Sequence, residues 1–220
     1  MNDAASPLPK ARPVFARHAV SLLVVREGDG GPEVLMGVRA AAHRFMPNRL
    51  VFPGGGVEPG DAAAAVAAEP SAEVLAMLGR SAGPRLARAL VVAGARELTE
   101  ETGLGFGTPA RLDRMSYLCR AVTPPGLPIR FNARFLVAPG DAVSGTLADS
   151  RELQDLRWRA VDSVGPGDVM EVTYEVLKRL RGWLAMDEAA RAARTELQVF
   201  KRKAWELERA GLHSRRRNAY

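Results

Sequence analysis

The sequence of 220 residues has one cysteine and three histidines. A lone cysteine, Cys119, can form neither an intrachain disulfide nor a thiol metal site, and its apolar surroundings predict a small buried side chain. The histidines, His18, His43 and His213, are too scattered along the sequence to suggest a histidine metal cluster. We therefore expect the chemistry of this protein to depend on other residue types.

Targeting and membrane signals are also missing. No apolar run approaches the ~18 residues that span a bilayer, and residues 1–17 lack the apolar stretch of a secretory signal. These absences predict a cytoplasmic protein that does not bind a membrane. The sequence also has no Walker phosphate-binding loop, no dinucleotide glycine fingerprint and no Gly-x-Ser-x-Gly elbow, so three common enzyme classes are disfavoured.

The composition is that of an ordinary globular protein, with 47% hydrophobic and 25% charged residues. A chain of this length can bury one sizeable core, and we expect one domain with a helical appendage. The formal net charge of +6 favours anionic ligands in general. Charge alone does not distinguish phosphates from nucleic acid or a membrane surface.

The most informative stretch lies between residues 52 and 104. It opens with Phe-Pro-Gly-Gly-Gly at residues 52–56 and closes with a segment of helical spacing that ends at Gly103. On this helix the acidic and the apolar residues fall on separate faces. One face carries Val91, Ala95, Leu98 and Thr102, and another carries Glu97, Glu100 and Glu101.

Three carboxylates at this spacing repel one another and would destabilise an isolated helix. A hard divalent cation such as Mg²⁺ relieves the repulsion, because it prefers carboxylate oxygens and keeps several of its waters. An exposed helix whose glutamates are merely solvated shows the same pattern. The glycine-rich turn and the adjacent Arg96 favour the metal interpretation.

These residues resemble the box of the Nudix hydrolases, which ends in the run Arg-Glu-apolar-x-Glu-Glu-x-Gly-apolar. Residues 96–104 match that run at every fixed position, and Gly55 supplies the first half, with Asp61 where the family has glutamate. Residues 62–95 separate the halves, a far longer gap than the family pattern has. An insertion at residues 62–83 is expected to loop out before the helix begins near residues 84–86, as in a coenzyme A diphosphatase branch of the family.

A second resemblance lies upstream of the glycine turn, where coenzyme A-cleaving Nudix enzymes carry an arginine-containing motif. The matching residues are Leu35, Arg39, Ala40, Arg44 and the Phe-Pro-Gly-Gly at 52–55. The residues that depart from the motif are Met36, Gly37 and Asn48. Arginine's planar fork suits phosphate oxygens, although a solvated basic loop is the alternative interpretation.

The resemblance and the order of elements predict an α/β protein with a Nudix-like α/β/α sandwich around a mixed β-sheet, a helical insertion and C-terminal helices. Strand patterns cover residues 18–25, 33–39, 50–52, 112–122, 129–137 and 156–161. The strand at 129–137 alternates cleanly and is expected to be half buried, with Arg134 on its polar face. Two short helices are expected within 61–80, and an amphipathic helix at 170–184.

We divide the chain into a flexible tail at residues 1–15, a Nudix hydrolase domain at 16–186 and a basic helix and tail at 187–220. The last helix is predicted at 187–210. Its basic residues, with the run at 215–217, come without a stacking platform or RNA motif, which disfavours nucleic acid as a partner. Trp183, Phe200 and Trp205 fit core packing or dimer packing, which leaves a homodimer open.

The resemblance implies a role for each candidate residue. The ligands of Mg²⁺ or Mn²⁺ would be Glu97, Glu100, Glu101 and the carbonyl of Gly54. Catalysis would also use Arg96 to orient a carboxylate, and Glu100 would be a further ligand or the general base. The candidates on the substrate side are Arg39, Arg44, Gly55 and Glu152. Glu152 stands where many members supply an acidic ligand from a loop after the box, and a surface glutamate is the alternative there.

The implied function is metal-dependent hydrolysis of a diphosphate linkage in nucleoside-diphosphate-X compounds, which are small nucleotide-derived substrates. Coenzyme A or an acyl-coenzyme A is the favoured substrate, cut to 3′,5′-ADP and a phosphopantetheine product. The alternatives within the enzyme class are ADP-ribose, dinucleotides or nucleoside triphosphates. An alternative from another class is a non-catalytic Nudix-fold binding or regulatory protein.

Overall fold

The structure is a computed structural model that describes residues 14–41 and 47–208. The predicted tail at 1–15 falls almost wholly outside these residues, and Arg44 and the basic run at 215–217 lie outside them. Within the described ranges, no helix is long and apolar enough to cross a membrane.

Strands and helices follow one another along the described chain. The strands are β1 (Arg17–Gly28), β2 (Gly31–Arg39), β3 (Leu50–Val51), β4 (Gly54–Gly56), β5 (Leu104–Gly105), β6 (Ser116–Val122), β7 (Phe131–Pro139), β8 (Ser144–Gly145), β9 (Leu153–Ala160), β10 (Gln198–Lys201) and β11 (Ala204–Leu207). The α-helices are α1 (Ala72–Gly79), α2 (Pro84–Thr102), α3 (Glu171–Leu184) and α4 (Glu188–Ala192). Short 3₁₀ turns cover Asp61–Ala63, Gly140–Ala142 and Val161–Ser163.

A mixed sheet occupies the centre of the described structure. Its main strand order is β11-β10-β6-β7-β1-β2-β3, with β4 paired to β1 and β9 paired to β2. The pairs β1–β7 and β10–β6 are parallel, and the other pairs in this sheet are antiparallel. The predicted hairpin of β1 and β2 is present, with partners from Val25↔Val34 to Gly28↔Gly31.

Helices cover both faces of this sheet, because successive side chains of a strand point to opposite sides. On β1, Leu22 belongs to the core cluster that also holds Leu90 and Leu98 of α2. The next residue, Leu23, belongs to the second cluster, together with Leu177 of α3. The two clusters confirm the predicted α/β/α sandwich around a mixed sheet.

The long helix α2 has the ends that its sequence predicts. Pro84 stands at its first turn, where the missing N–H costs no helical hydrogen bond. Gly103 ends it in the left-handed region, with φ +73°, and donates its N–H to Thr99 O. An apolar side of α2 is buried against the sheet, so the opposite side can present the box residues Arg96, Glu97 and Glu100.

The insertion is packed onto the domain. Two helices were expected within residues 61–80, but the structure has a 3₁₀ turn at Asp61–Ala63 and one α-helix, α1, whose first turn is capped by Ser71. Val74, Leu78 and Ala82 belong to the same core cluster as α2. Backbone hydrogen bonds also tie residues 67 and 68 to residues 110 and 112. The insertion therefore forms part of the hydrophobic core.

The prediction that β7 is half buried was wrong, because Arg134 on its polar face has no exposed surface. Its guanidinium donates to Asn132 O and to Ser81 O, which lies in the insertion. It also donates to Nδ1 of His18 at 2.8 Å. Burial, with the charges of Arg134 and then Arg120, lowers the pKa of His18 to about 4, so the ring is neutral and can accept this bond. A strand's alternation cannot show that a distant segment will cover its polar face.

The predicted C-terminal helix at 187–210 was also wrong. Among the described residues of this range, 187–208, only α4 is an α-helix. Residues 198–207 form the hairpin β10–β11, which extends the sheet through parallel pairing of β10 with β6. The apolar spacing of this segment also fits a helix. In the structure the segment pairs with β6 instead, and Val199 and Phe200 are buried there. Trp183 and Phe200 lie in the second core cluster, and Trp205 packs against it.

The reactivity of Cys119 tests this sheet order. The residue is 1% exposed on β6, and burial raises the pKa of its thiol well above the ordinary value. A thiol that is neither accessible nor ionised reacts slowly. We expect a disulfide reagent such as DTNB to leave the native protein unlabelled while it labels one thiol per chain in guanidinium. Rapid labelling of the folded protein would contradict the interior position of β6.

Candidate active site

The glycine turn and the C-terminal half of α2 meet at a buried carboxylate. Gly54 donates its N–H to Oε2 of Glu101 at 2.7 Å, and Glu101 is 5% exposed. Gly54 has φ +149°, and a Cβ built there would lie 2.2 Å from Val20 O. Glycine is therefore required at position 54 for the turn to approach β1 and Glu101 together.

Glu97 lies one helical turn before Glu101 and packs against the next glycine. A Cβ built on Gly55 would lie 2.2 Å from Oε1 of Glu97. The absence of a side chain at position 55 thus makes room for this carboxylate. Glu97 and Glu101 are both placed beside the bend at residues 54 and 55.

Arg96 connects the two halves of the box. Its Nε and Nη2 donate to the two carboxylate oxygens of Asp61 at 3.0 and 3.3 Å. Its Nη1 donates to Glu97 Oε1 at 3.0 Å and to Glu100 Oε2 at 3.1 Å. Nη2 also donates to Gly56 O at 3.0 Å. The guanidinium therefore holds the side chain of Glu97 beside Gly55. Residue 61 contacts residue 96 although the insertion separates them in sequence.

Burial opposes the charged form of both inner carboxylates. The pKa of Glu101 is raised to about 7, mainly by burial; the Gly54 N–H opposes the shift and the charge of Glu97 adds to it. The pKa of Glu97 is also raised, again mainly by burial, against the charge and hydrogen bond of Arg96. Carboxylates held together with little water are stabilised by a nearby cation.

Arg39 and Glu152 are close enough to Glu101 for their charges to affect its pKa. The charge of Arg39 lowers the pKa of Glu101, and the charge of Glu152 raises it. Both residues stand where β2 and β9 meet, since Ala40 N donates to Glu152 O at 2.9 Å and Arg39 pairs with Leu153. Among the predicted substrate-side residues, Arg39, Gly55 and Glu152 are thus brought together, and Arg44 lies outside the described residues.

The fit to a metal ion is partial. The described residues contain no group of three or more His, Cys, Asp or Glu side chains arranged to hold one. Glu97 and Glu101 converge on the bend, whereas the side chain of Glu100 is 58% exposed and is held by Arg96. The donor set is nevertheless all oxygen and anionic, which is the chemistry that Mg²⁺ and Mn²⁺ prefer. Glu97 and Glu101 lie together at the bend, and Glu100 would have to leave Arg96 to join them.

Two residues of this network were given no role from the sequence alone. Asp61 is 4% exposed and binds Arg96, and its register in the box pattern was a usable signal. Arg88 binds the turn that carries Asp61. Nothing in the sequence distinguishes Arg88 from the neighbouring Arg85, which is exposed on the same helix.

No family model matches this sequence. No curated protein matches it either. Solved structures do: a NUDIX hydrolase from Alicyclobacillus acidocaldarius superposes with a TM-score of 0.57 and 25% sequence identity, covering 75% of this chain and 90% of that chain. The NUDIX domain of Shewanella oneidensis NrtR, solved with ADP-ribose, has a TM-score of 0.51 and 17% identity over 84% of this chain and 100% of that one.

The fold is therefore that of the Nudix hydrolases. The same structure carries the arginine and glutamates of the box on α2, directly beside the glycine turn. The similarity to the Alicyclobacillus enzyme, together with these residues, supports a diphosphohydrolase of the Nudix type.

Replacing Gly55 by alanine tests the contact with Glu97. The new Cβ would overlap the carboxylate, which is the movable end of a side chain, so we expect the protein to keep its fold while Glu97 is displaced. Misplacement of this kind should lower Mg²⁺-dependent hydrolysis by about 10- to 100-fold. The matched control is Gly60→Ala, because a Cβ on Gly60 meets nothing within 4 Å. Equal activity in the two variants would contradict the close packing at residue 55.

Proposed function

We propose that this protein is a metal-dependent hydrolase that cleaves the phosphoanhydride bond of a nucleoside-diphosphate-X compound. The observation that carries the proposal is the pair Glu97 and Glu101, held side by side against Gly55 and Gly54. Burying two carboxylates together is costly unless positive charge arrives. A substrate diphosphate brings further negative charge, so a cation between the two groups stabilises both.

Mg²⁺ or Mn²⁺ would be held by Glu97 and Glu101, with Glu100, Glu152 and the Gly54 carbonyl as further ligand candidates. Bound there, the ion supplies charge neutralisation of the diphosphate and a more acidic water. The chain's own contribution is orientation. Arg96 donates to Glu97 from one side while Asp61 holds the other edge of its guanidinium.

Glu100 is the candidate general base. Its side chain is 58% exposed, so water reaches it, and it lies beside Glu97 on the shared guanidinium of Arg96. A general base has to lie within hydrogen-bond reach of the proton that it removes. In this role Glu100 takes a proton from the attacking water. Service as a metal ligand would instead require it to leave Arg96.

Coenzyme A or an acyl-coenzyme A is the substrate class that we favour. Two features support this choice: the insertion inside the box, and the upstream motif in which Arg39 has its place. Arg39 acts on the pKa of Glu101, so its charge is near the proposed metal ligands. A guanidinium there can bind a phosphate of the substrate. ADP-ribose, dinucleotides and nucleoside triphosphates are the alternative substrates.

A non-catalytic binding protein is the alternative from another class. A protein that only binds a nucleotide has no evident need for three adjacent glutamates, because each of them repels a phosphate. Arg96, Glu97, Glu100 and Glu101 are all present, which supports the enzyme.

Glu101→Gln tests the metal site. The substitution keeps the size of the side chain and removes the charge, so we expect Mg²⁺-dependent hydrolysis of coenzyme A, ADP-ribose and NADH to fall by about 100-fold or more. Glu188→Gln, an exposed glutamate of α4, is the control. The assay is product release followed by chromatography, with circular dichroism to check folding. Undiminished hydrolysis across the panel would reject the site.

Arg39→Ala tests the substrate class. Loss of a charge-assisted hydrogen bond to a phosphate costs about 1.5–3 kcal/mol, or roughly 10- to 100-fold in kcat/KM. We expect this loss for coenzyme A and a smaller one for ADP-ribose and NADH, measured on the same preparations. The half-exposed Arg114 provides the control variant, Arg114→Ala. A similar loss for every substrate would contradict selective recognition of coenzyme A.

A further inference from the structure

The insertion contacts α2 through a second arginine outside the box. Nε and Nη2 of Arg88 donate to the two carboxylate oxygens of Glu69, each at 2.8 Å. Nη1 donates to Ala62 O at 3.0 Å, and Nη2 also donates to Ala64 O at 2.8 Å. One guanidinium thus binds both the turn that begins at Asp61 and the segment that leads to α1.

Arg88 and Arg96 lie at two positions along α2 and bind the same turn. They are eight residues apart, which is about 2.2 turns and about 12 Å along α2. Arg96 binds the side chain of Asp61, and Arg88 binds the carbonyls that follow it. Asp61 also accepts the N–H of Glu58 at 2.7 Å. The position of the Asp61 carboxylate is therefore set by the hydrogen bonds that Arg96 and the Glu58 N–H donate to it, and by the contacts of Arg88 with the carbonyls that follow it.

The length of the Asp61 side chain makes these backbone contacts important. Aspartate is one methylene shorter than the glutamate of the box pattern, so the backbone has to lie closer to Arg96 for the ion pair to form. That backbone leads into the insertion, whose packing could place it at many distances from α2. The carbonyls of residues 62 and 64 are fixed to α2 by Arg88.

We propose that Arg88 is a positioning residue for the Nudix box, which holds the turn at residues 61–64 against α2 so that Asp61 keeps Arg96, and through it Glu97 and Glu100, in place. Its link to the metal site depends on the proposed function. The chemistry that it serves is orientation of carboxylates toward a divalent cation.

The experiment compares Arg88→Ala with two variants. These variants separate the positioning of the box residues from the attachment of the insertion to α2. Glu69→Ala removes the contact of Arg88 with the segment before α1 and leaves its contacts to the carbonyls of residues 62 and 64. Arg85→Ala removes an exposed arginine one turn earlier on α2. Mn²⁺ affinity is measured by calorimetry, kcat and KM with Mg²⁺ by product release, and melting temperature by circular dichroism.

We expect Arg88→Ala to weaken Mn²⁺ binding and to lower kcat by about tenfold or more, with a smaller change in KM. Glu69→Ala and Arg85→Ala should keep wild-type Mn²⁺ affinity and kcat, even if the melting temperature of the first falls. A second substitution, Asp61→Glu, in the Arg88→Ala background should restore most of the loss, because the longer side chain reaches Arg96 from a more distant backbone. Equal losses in Arg88→Ala and Glu69→Ala, or no rescue, would overturn the proposal.

A readout without metal or substrate separates this proposal from the proposed function. The Nε–H of Arg96 donates to a buried carboxylate, so its proton should exchange slowly in ¹H–¹⁵N spectra of the wild type and of Glu69→Ala, and fast in Arg88→Ala. Wild-type protein that neither binds Mn²⁺ nor hydrolyses the panel would refute the proposed function, and the Arg96 signal would still decide the role of Arg88. An unchanged signal in Arg88→Ala refutes that role.

Discussion

Carboxylates that lie close together and partly buried must be matched by hydrogen-bond donors or by positive charge. This requirement governs the arrangement of Asp61, Glu97 and Glu101 beside the glycine turn. The N–H of Gly54 serves Glu101, and the guanidinium of Arg96 serves Glu97 and Asp61. These donors do not cancel the effect of burial, and the pKa values of Glu97 and Glu101 remain raised. A cation beside the two carboxylates would therefore stabilise their charged forms. The glycines and the long helix are arranged around this balance of charge.

The insertion shows how a box can be interrupted in sequence and remain continuous in space. The insertion, residues 62–83, follows Asp61 and leads into the first turn of α2. Burial of Val74 and Leu78 in the core offsets part of the conformational entropy that is lost when this segment is ordered. Ser81 of the insertion also covers the buried Arg134 of β7. The segment thus contributes to the core, to a buried polar contact and, through Arg88, to the edge of the site.

Local chemistry could be predicted from the sequence where one residue type permits one structure. Gly103 and Pro84 indicated the ends of α2, and the glycine turn was expected to lie beside the glutamates of residues 97–101. The hairpin β10–β11 could not be foreseen, because its apolar spacing also fits a helix and the deciding contact is with β6, nearly 80 residues away. The burial of Arg134 and the role suggested for Arg88 depend in the same way on how distant segments pack. Long-range pairing therefore accounts for most of the differences between expectation and structure.

The central claim is that a divalent cation binds between Glu97 and Glu101 beside Gly54. Anomalous diffraction from crystals of the full chain soaked with Mn²⁺ measures this directly. The predicted result is a strong peak within bonding distance of both carboxylates, which disappears in Glu101→Gln crystals. Mn²⁺ bound elsewhere, with these two carboxylates bare in an enzyme that still hydrolyses its substrate, would contradict the account.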